Sequence, residues 1–220
     1  MEVKGFLYLK ELEMPFDRIL VLGPHTDDGE IGCGGLISRF RAEEKIVWYA
    51  TFSFAKKSIP PKFAGCSTKK EVYESAAILG IDKDHIITFD FDTRNFPAFR
   101  QEILEEMIKL KRFLLPNVII LPSTYDTHQD HQVIRNEGFR AFKQHTLLGF
   151  EVLQNNLLFS TNVFVKLEQR HIICKIKAVE CYKSQEWRGS LDLIEPLAQI
   201  RGRQSGTEYA ECFEAIRWIF

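Results

Sequence analysis

The sequence predicts an α/β fold with a mostly parallel, doubly wound central sheet and helices on both of its faces. Two observations carry that expectation. Short runs of branched apolar residues recur along the chain, as parallel strands buried on both faces require. Helix-length segments lie between them, the pattern of βαβ units, whose right-handed crossovers place helices on both faces. Residues 1–220 contain no repeat, low-complexity tract or linker-like stretch, so the chain reads as a single domain.

The first strand is Arg18–Leu22, RILVL, which runs into Gly23-Pro24. A helix follows at Gly29–Glu44, and Gly32, Gly34 and Gly35 in it suggest close helix–sheet packing. The same GCGG is a poor dinucleotide fingerprint, because such glycines should open immediately after the strand. Lys45–Phe54 is a β-rich run, and the loop after it carries Pro60, Pro61 and Gly65. Ser67 or Thr68 can cap a helix at Lys69–Gly80, which Gly80 ends. His85–Phe91 gives a short strand, and a loop runs through Pro97. Phe99–Leu114 has apolar residues at 99, 103, 104, 107, 110 and 114, close to helical spacing. Pro116-Asn117 breaks that helix ahead of another buried strand, Val118–Pro122. The last third is less regular. It reads as a helix at His131–Lys143, a strand near Asn162–Leu167, and helices near Ile173–Ser184 and Tyr209–Arg217. Arg201–Gly206, RGRQSG, has no preceding strand and reads as a helix end and turn rather than a phosphate loop.

An apolar fraction of 45% and a charged fraction of 27% are those of an ordinary soluble globule. The balance of 29 basic against 30 acidic residues offers no electrostatic footprint for nucleic acid or an anionic membrane. The 18 phenylalanines suggest a bulky core. Five cysteines, an odd number with no C-x-x-C pair, indicate reduced thiols rather than a disulfide framework or thiolate zinc site. The N-terminal MEVKGFLYLKELEMPF mixes charges through its apolar residues and lacks the continuous core of a secretory signal. No run approaches the roughly 18–20 apolar residues of a membrane span. The expectation is a cytoplasmic enzyme or binding protein, and a homo-oligomer is compatible with it.

Ligands of open α/β sheets bind beyond the carboxyl ends of the strands, and two loops at such ends carry unusual polar density. The first is Gly23-Pro24-His25-Thr26-Asp27-Asp28. The second, Ser123–Gln132, brings His128 and His131 three apart at the mouth of a helix, with Asp126 and Asp130 beside them. Either motif alone reads as an ordinary helix start, since Asp caps helices readily. Together they point to a divalent cation. Catalytic zinc takes three nitrogen or oxygen ligands and keeps one position for water. His25, one aspartate of the first loop and one histidine of the second complete that set. The remaining aspartate is then available as a general base on a water whose pKa zinc lowers to about 7. The remaining histidine can stabilise an oxyanion or protonate a leaving amine. A His₂–carboxylate set also suits Fe²⁺, Ni²⁺ or Co²⁺.

The stretches PHTDDGEIGCGG and HQDH resemble the paired motifs of the LmbE-like, or PIG-L, family of zinc-dependent N-deacetylases. Weaker matches at KKEVYESAAILGI, KIKAVECYKSQ and RGRQSGTEYAECFEAIR extend the likeness, in order, from about Arg18 to Arg217. The resemblance implies a Rossmann-like fold and one Zn²⁺ per chain bound by His25, Asp28 and His131. It implies Asp27 as general base and His128 as the group that polarises the carbonyl or protonates the amine, with Asp130 modulating His128. It implies a small-molecule N-acetylated amino sugar, or its conjugate, as substrate. Thr26 and Gln129 stand where the family has prolines, and ATFSFAKKSIPPK replaces its usual T-x-G-E type segment.

Arg94 and Asp92, beyond the third strand, are candidates for holding a sugar hydroxyl or phosphate; a surface salt bridge is the equal alternative. Gly149–Asn156 reads as a pocket wall or a polar turn before a strand, and Glu30 as a hydrogen-bonding support for the metal loop. His85, His145 and His171 read as structural. Two rival functions stand beside the deacetylase. A metal phosphoesterase usually wants a second ion about 3.5–4 Å from the first, and a non-catalytic module stapled by its metal wants four protein ligands.

Overall fold

The computed structural model describes residues 16–65, 67–185 and 191–219. Residues 1–15 of the charge-interrupted N-terminal segment and Cys66 lie outside these residues. Thirteen elements follow in chain order: β1 (Arg18–Gly23), α1 (Asp28–Ala42), β2 (Ile46–Thr51), α2 (Thr68–Ile78), β3 (Ile86–Thr88), α3 (Arg100–Leu114), β4 (Val118–Pro122), α4 (Gln129–Ala141), β5 (Thr146–Phe150), β6 (Val163–Leu167), α5 (Gln169–Val179), α6 (Leu191–Ser205) and β7 (Tyr209–Arg217), with short 3₁₀ turns between some of them.

The seven strands form one sheet in the order β3-β2-β1-β4-β5-β7-β6. The first five are parallel, and β7 runs antiparallel to both of its neighbours. The period-2 alternation of β1 divides the core in two. Ile19 and Val21 pack with Leu36, Phe40, Val72 and Ile172 of α1, α2 and α5. Leu20 and Leu22 pack with Ile103, Leu104, Met107 and Ile134 of α3 and α4. The result is a three-layer α/β fold, as the alternation of strands and helices predicts.

The strand order reverses between β1 and β4. From β1 the chain moves outward through β2 and β3, whereas β4 and β5 extend the opposite side. The loops that leave the carboxyl ends of β1 and β4 therefore diverge and open a crevice. These are the two loops rich in histidine and aspartate.

Two expectations are corrected. Tyr209–Arg217 is not a helix but strand β7, filling the slot between β5 and β6. Its Glu, Ala and Arg content favours helix, but the slot supplies backbone partners on both sides and overrides that preference. The last third also contains strand β5 and helix α6, which the sequence reading did not separate, the latter with Pro196 inside it. Elsewhere differences are of extent. The strand expected over His85–Phe91 shortens to three residues, and α4 begins at Gln129, which makes His128 its N-cap. Ser67 caps α2 by accepting from Lys70 N, as expected.

Helix α1 is interrupted at Cys33 (φ −147°, ψ 22°). The break exposes backbone N–H groups that need acceptors, and the buried carboxylate of Glu211 on β7 accepts from Gly35 N (2.9 Å) and Leu36 N (2.7 Å). Lys175 Nζ neutralises Glu211 at 2.7 Å. A Cβ at Gly32 would lie 2.3 Å from the Phe150 ring, and one at Gly35 2.6 Å from Leu167. The glycines thus let α1 lie against β5 and β6, and the N-terminal piece of the helix carries Asp28 into the crevice.

Candidate metal centre

The chain leaves β1 at Gly23 and turns through His25, Thr26 and Asp27 before α1 begins at Asp28. Asp28 folds back so that its Oδ2 accepts from the His25 backbone N–H at 2.7 Å. Asp27 occupies the N-cap position of α1, yet its side chain makes no capping bond to the helix. The ordinary helix-start role is therefore not the one it plays. On the other side, Asp126 accepts from His128 N (2.9 Å) and so orders the turn into α4.

His25, Asp28 and His131 meet at the crevice, with one ligand atom of each within 4.8 Å of the others. Asp28 Oδ2 lies 3.1 Å from His25 Nδ1 and 3.2 Å from His131 Nε2. Zinc–nitrogen and zinc–oxygen bonds of about 2.0–2.1 Å imply a tetrahedral edge of about 3.3 Å, so these separations suit one small divalent ion. The outer nitrogens also find carboxylates, His25 Nε2 meeting Asp130 Oδ2 at 3.0 Å and His131 Nδ1 meeting Asp126 Oδ2 at 2.7 Å. A carboxylate behind each ligating imidazole is the arrangement that fixes ring orientation at metal sites.

The electrostatics demand positive charge. Burial opposes a proton on His25, but hydrogen bonds that its ring donates to Asp130 and Asp28 outweigh it and push its pKa up to about 9. Burial opposes charge on His131 too, and Asp28 and Asp126 push it up to about 10. Asp28 is held well below the usual carboxylate range: burial works against its charge, and His131 and His25 overcome it. A divalent ion supplies in one particle the charge that two imidazolium protons supply in its absence. The donor set, its spacing and its charge all fit a metal.

The loop is gripped from behind by a buried network. Glu30 accepts from Tyr182 (2.6 Å), Ser75 (2.8 Å) and Tyr49 (2.9 Å). The hydroxyls of Tyr182 and Tyr49 also reach the Thr26 carbonyl, between His25 and Asp27. Burial pushes the Glu30 carboxyl up to about 7 against these three donors. Glu30 thus supports the loop through tyrosines on β2 and just beyond α5.

A cleft of about 340 Å³ opens over the centre, lined by the three candidate ligands, Asp27, Ile31, His128, Val152, Gln154, Asn155 and Gln185. His128 Nδ1 accepts from Asp130 N at 3.1 Å, which leaves the proton of the neutral ring on Nε2. Burial, with the charges of His131 and His25, lowers its pKa. The Asp130 carboxylate also acts on His128 through its charge, which favours the protonated ring. The same carboxylate serves His25 and accepts from Arg94 N (2.6 Å) and Phe96 N (3.2 Å).

Asp92 and Arg94 are not among the lining residues of this cleft. Asp92 pairs with Lys57 at 2.6 Å, and the Arg94 guanidinium donates to Ser58 Oγ at 3.3 Å. Arg94 sits in the left-handed region (φ 68°), which turns its N–H onto Asp130. The Gln129 side-chain amide donates to its carbonyl, giving Gln129 a fastening role of its own. Sequence reasoning did not assign Asp126 its place behind His131, nor did it single out Tyr49, Tyr182 or Gln185. Asp126 had a local signal, five residues before His131 in one polar loop; the others reach the site from distant elements. The stretch 149–156 does contribute to the cleft, through Val152, Gln154 and Asn155.

Comparison with known proteins places this geometry. The chain is 23% identical, over 96% of its own length and 88% of the other, to a diacetylchitobiose deacetylase of Thermococcus kodakarensis. Among solved structures it superposes on the conserved protein TT1542 from Thermus thermophilus with a TM-score of 0.77 and 25% identity, covering 93% of this chain and 96% of that one. It also superposes on GalB, the 4-carboxy-2-hydroxymuconate hydratase of Pseudomonas putida, with a TM-score of 0.75 and 17% identity, covering 92% and 98%. The family described as PIG-L, GlcNAc-PI de-N-acetylase, matches residues 20–142, a span that holds both histidine–aspartate loops, and the chain belongs to that family.

Proposed function

We propose that the chain is a zinc-dependent hydrolase that removes the acetyl group from an N-acetylated amino sugar or its conjugate. The observation that carries this reading is a buried His₂–Asp donor set open to a cleft that also presents Asp27 and His128. The family match and the deacetylase relative support it. The hydratase with the same architecture shows that fold alone does not choose the reaction.

His25, Asp28 and His131 hold the ion, which when bound acidifies water and polarises the amide carbonyl. Asp27 accepts a proton from the attacking water. His128, neutral and protonated on Nε2, donates to the carbonyl oxygen as negative charge develops there. Asp126 and Asp130 hold the two ligating imidazoles in register, and Arg94 contributes through its backbone N–H to Asp130. Asp92 is given no part in the chemistry, since it lies outside the cleft lining and pairs with Lys57. The phosphoesterase reading is disfavoured, because the second group of possible donors among the described residues, His25, His128 and Asp130, reuses His25 of the first and is not a separate site. The described cysteines, Cys33, Cys174, Cys181 and Cys212, are free thiols, which supports a cytoplasmic setting. Among the described residues no helix is long and apolar enough to cross a membrane.

The test is amine release from a panel of N-acetylated amino sugars, including diacetylchitobiose, with and without chelator. The wild-type protein should release amine only when metal-loaded. Asp27→Ala should lower turnover about 10²–10⁴-fold while zinc content stays unchanged. Full activity of Asp27→Ala, or indifference to chelator, would refute the assignment.

A further inference from the structure

We propose that Gln185 is a substrate-contact residue, its side-chain amide nitrogen donating to a hydroxyl oxygen of the bound sugar ring. The proposal rests on the deacetylase reading above and extends it to a residue that the motifs do not point to.

Gln185 lines the cleft beside His25, Asp27 and His128. Its Nε2 is buried and has no hydrogen-bond partner among the described residues. A buried N–H without an acceptor carries a standing cost, and native proteins tolerate few of them. At a binding cleft that cost is relieved when the ligand brings the acceptor. Asn155, another amide of the same cleft, contrasts with it, because its Nδ2 has the Asp126 carboxylate at 3.4 Å.

The backbone that delivers Gln185 is fixed on several sides. Tyr182 is tied to the Thr26 carbonyl and to Glu30. Ser184 donates through its backbone N–H (3.0 Å) and its hydroxyl to the buried Glu71 carboxylate on α2. Gln185 N donates to the Tyr182 carbonyl at 3.1 Å. Tyr182 thus grips the metal loop while Gln185, three residues on, lines the same cleft. In the reading above the acetamide oxygen would be met by the metal and by His128. The acceptors that remain on an amino sugar are its ring hydroxyls.

The experiment compares wild type, Gln185→Leu and Gln185→Glu on the best N-acetylated sugar of the panel and on its monodeoxy analogues. Zinc affinity is measured alongside by chelator competition. Both variants should raise KM about tenfold or more and leave kcat within about threefold, with zinc affinity unchanged. For one deoxy analogue, wild type and Gln185→Leu should become equivalent. An unchanged KM, or a KM rise matched by a fall in zinc affinity, would overturn the assignment and leave Gln185 a structural residue. A zinc-loaded wild type that releases amine from no N-acetylated sugar would overturn the parent reading, and this proposal with it.

Discussion

A buried histidine beside one carboxylate is a common structural pair, but His25 and His131 are each buried between two, with Asp28 shared. That sharing separates a metal centre from a pair of ordinary ion pairs, because the shared carboxylate must face both imidazoles from the ligand side. The outer carboxylates have a different task, to aim the rings. Asp126→Asn keeps the shape of the side chain and removes its charge from His131 Nδ1. It should lower zinc affinity about 10–100-fold with little change in folding, as read by chelator competition and thermal melting. At this scale the site was partly legible in the sequence. The ligands lie in two short motifs, and their residue types announce the chemistry. The pairing of Asp130 with His25 joins positions 105 apart in the chain, and no local pattern records it. Thr26 makes the same point in reverse. Its hydroxyl is buried without a partner among the described residues, and its loop is held by contacts to the backbone carbonyl instead.

Among the elements, α1 has the most to satisfy, since its first piece positions Asp28 and its second packs in the core. The break at Cys33 separates these tasks, and Glu211 caps the second piece from a strand more than 170 residues away. Gly32 sits at this break in contact with Phe150, where an added Cβ would come within 2.9 Å of the phenylalanine Cβ as well as into its ring. A fully buried ring cannot swing aside, so Gly32→Ala must shift backbone. The expected cost is about 1–3 kcal/mol, a fall in melting temperature of roughly 3–10 °C, accompanied by weaker zinc binding as the first turn moves. A variant that melts with wild type would show that α1 and β5 have room to separate. The glycine spacing did announce this close packing. The strand that caps the helix was not announced, because the residues of β7 suit a helix locally and only the open slot in the sheet makes them a strand. Pro196 likewise obscured α6, since an interior proline ordinarily ends a helix.

Across the whole molecule, the alternation of strands and helices was legible because burial on both faces leaves an unmistakable apolar run. It put the site at the only kind of place this topology offers, the reversal of strand order between β1 and β4. The same crevice couples folding, protons and metal. In the ion-free protein His25 and His131 titrate at about 9 and 10, above the ordinary 6.5. Their protons are therefore bound more tightly in the folded state than in the unfolded one. The stability they contribute is fully present below about pH 6.5 and is lost as pH rises through 9 to 10. Zinc needs the same nitrogens neutral, so at pH 7 it must displace up to two protons, and its apparent affinity must climb with pH until about 9–10. Titration calorimetry in buffers of different ionisation enthalpy should find between one and two protons released per zinc at pH 7, falling below one by about pH 10. Melting curves should diverge in the same range, the ion-free protein losing stability between pH 7 and 10 while the zinc-loaded protein holds it. Zinc binding without proton release at pH 7 would mean that the ion does not occupy the place of those protons between His25, Asp28 and His131.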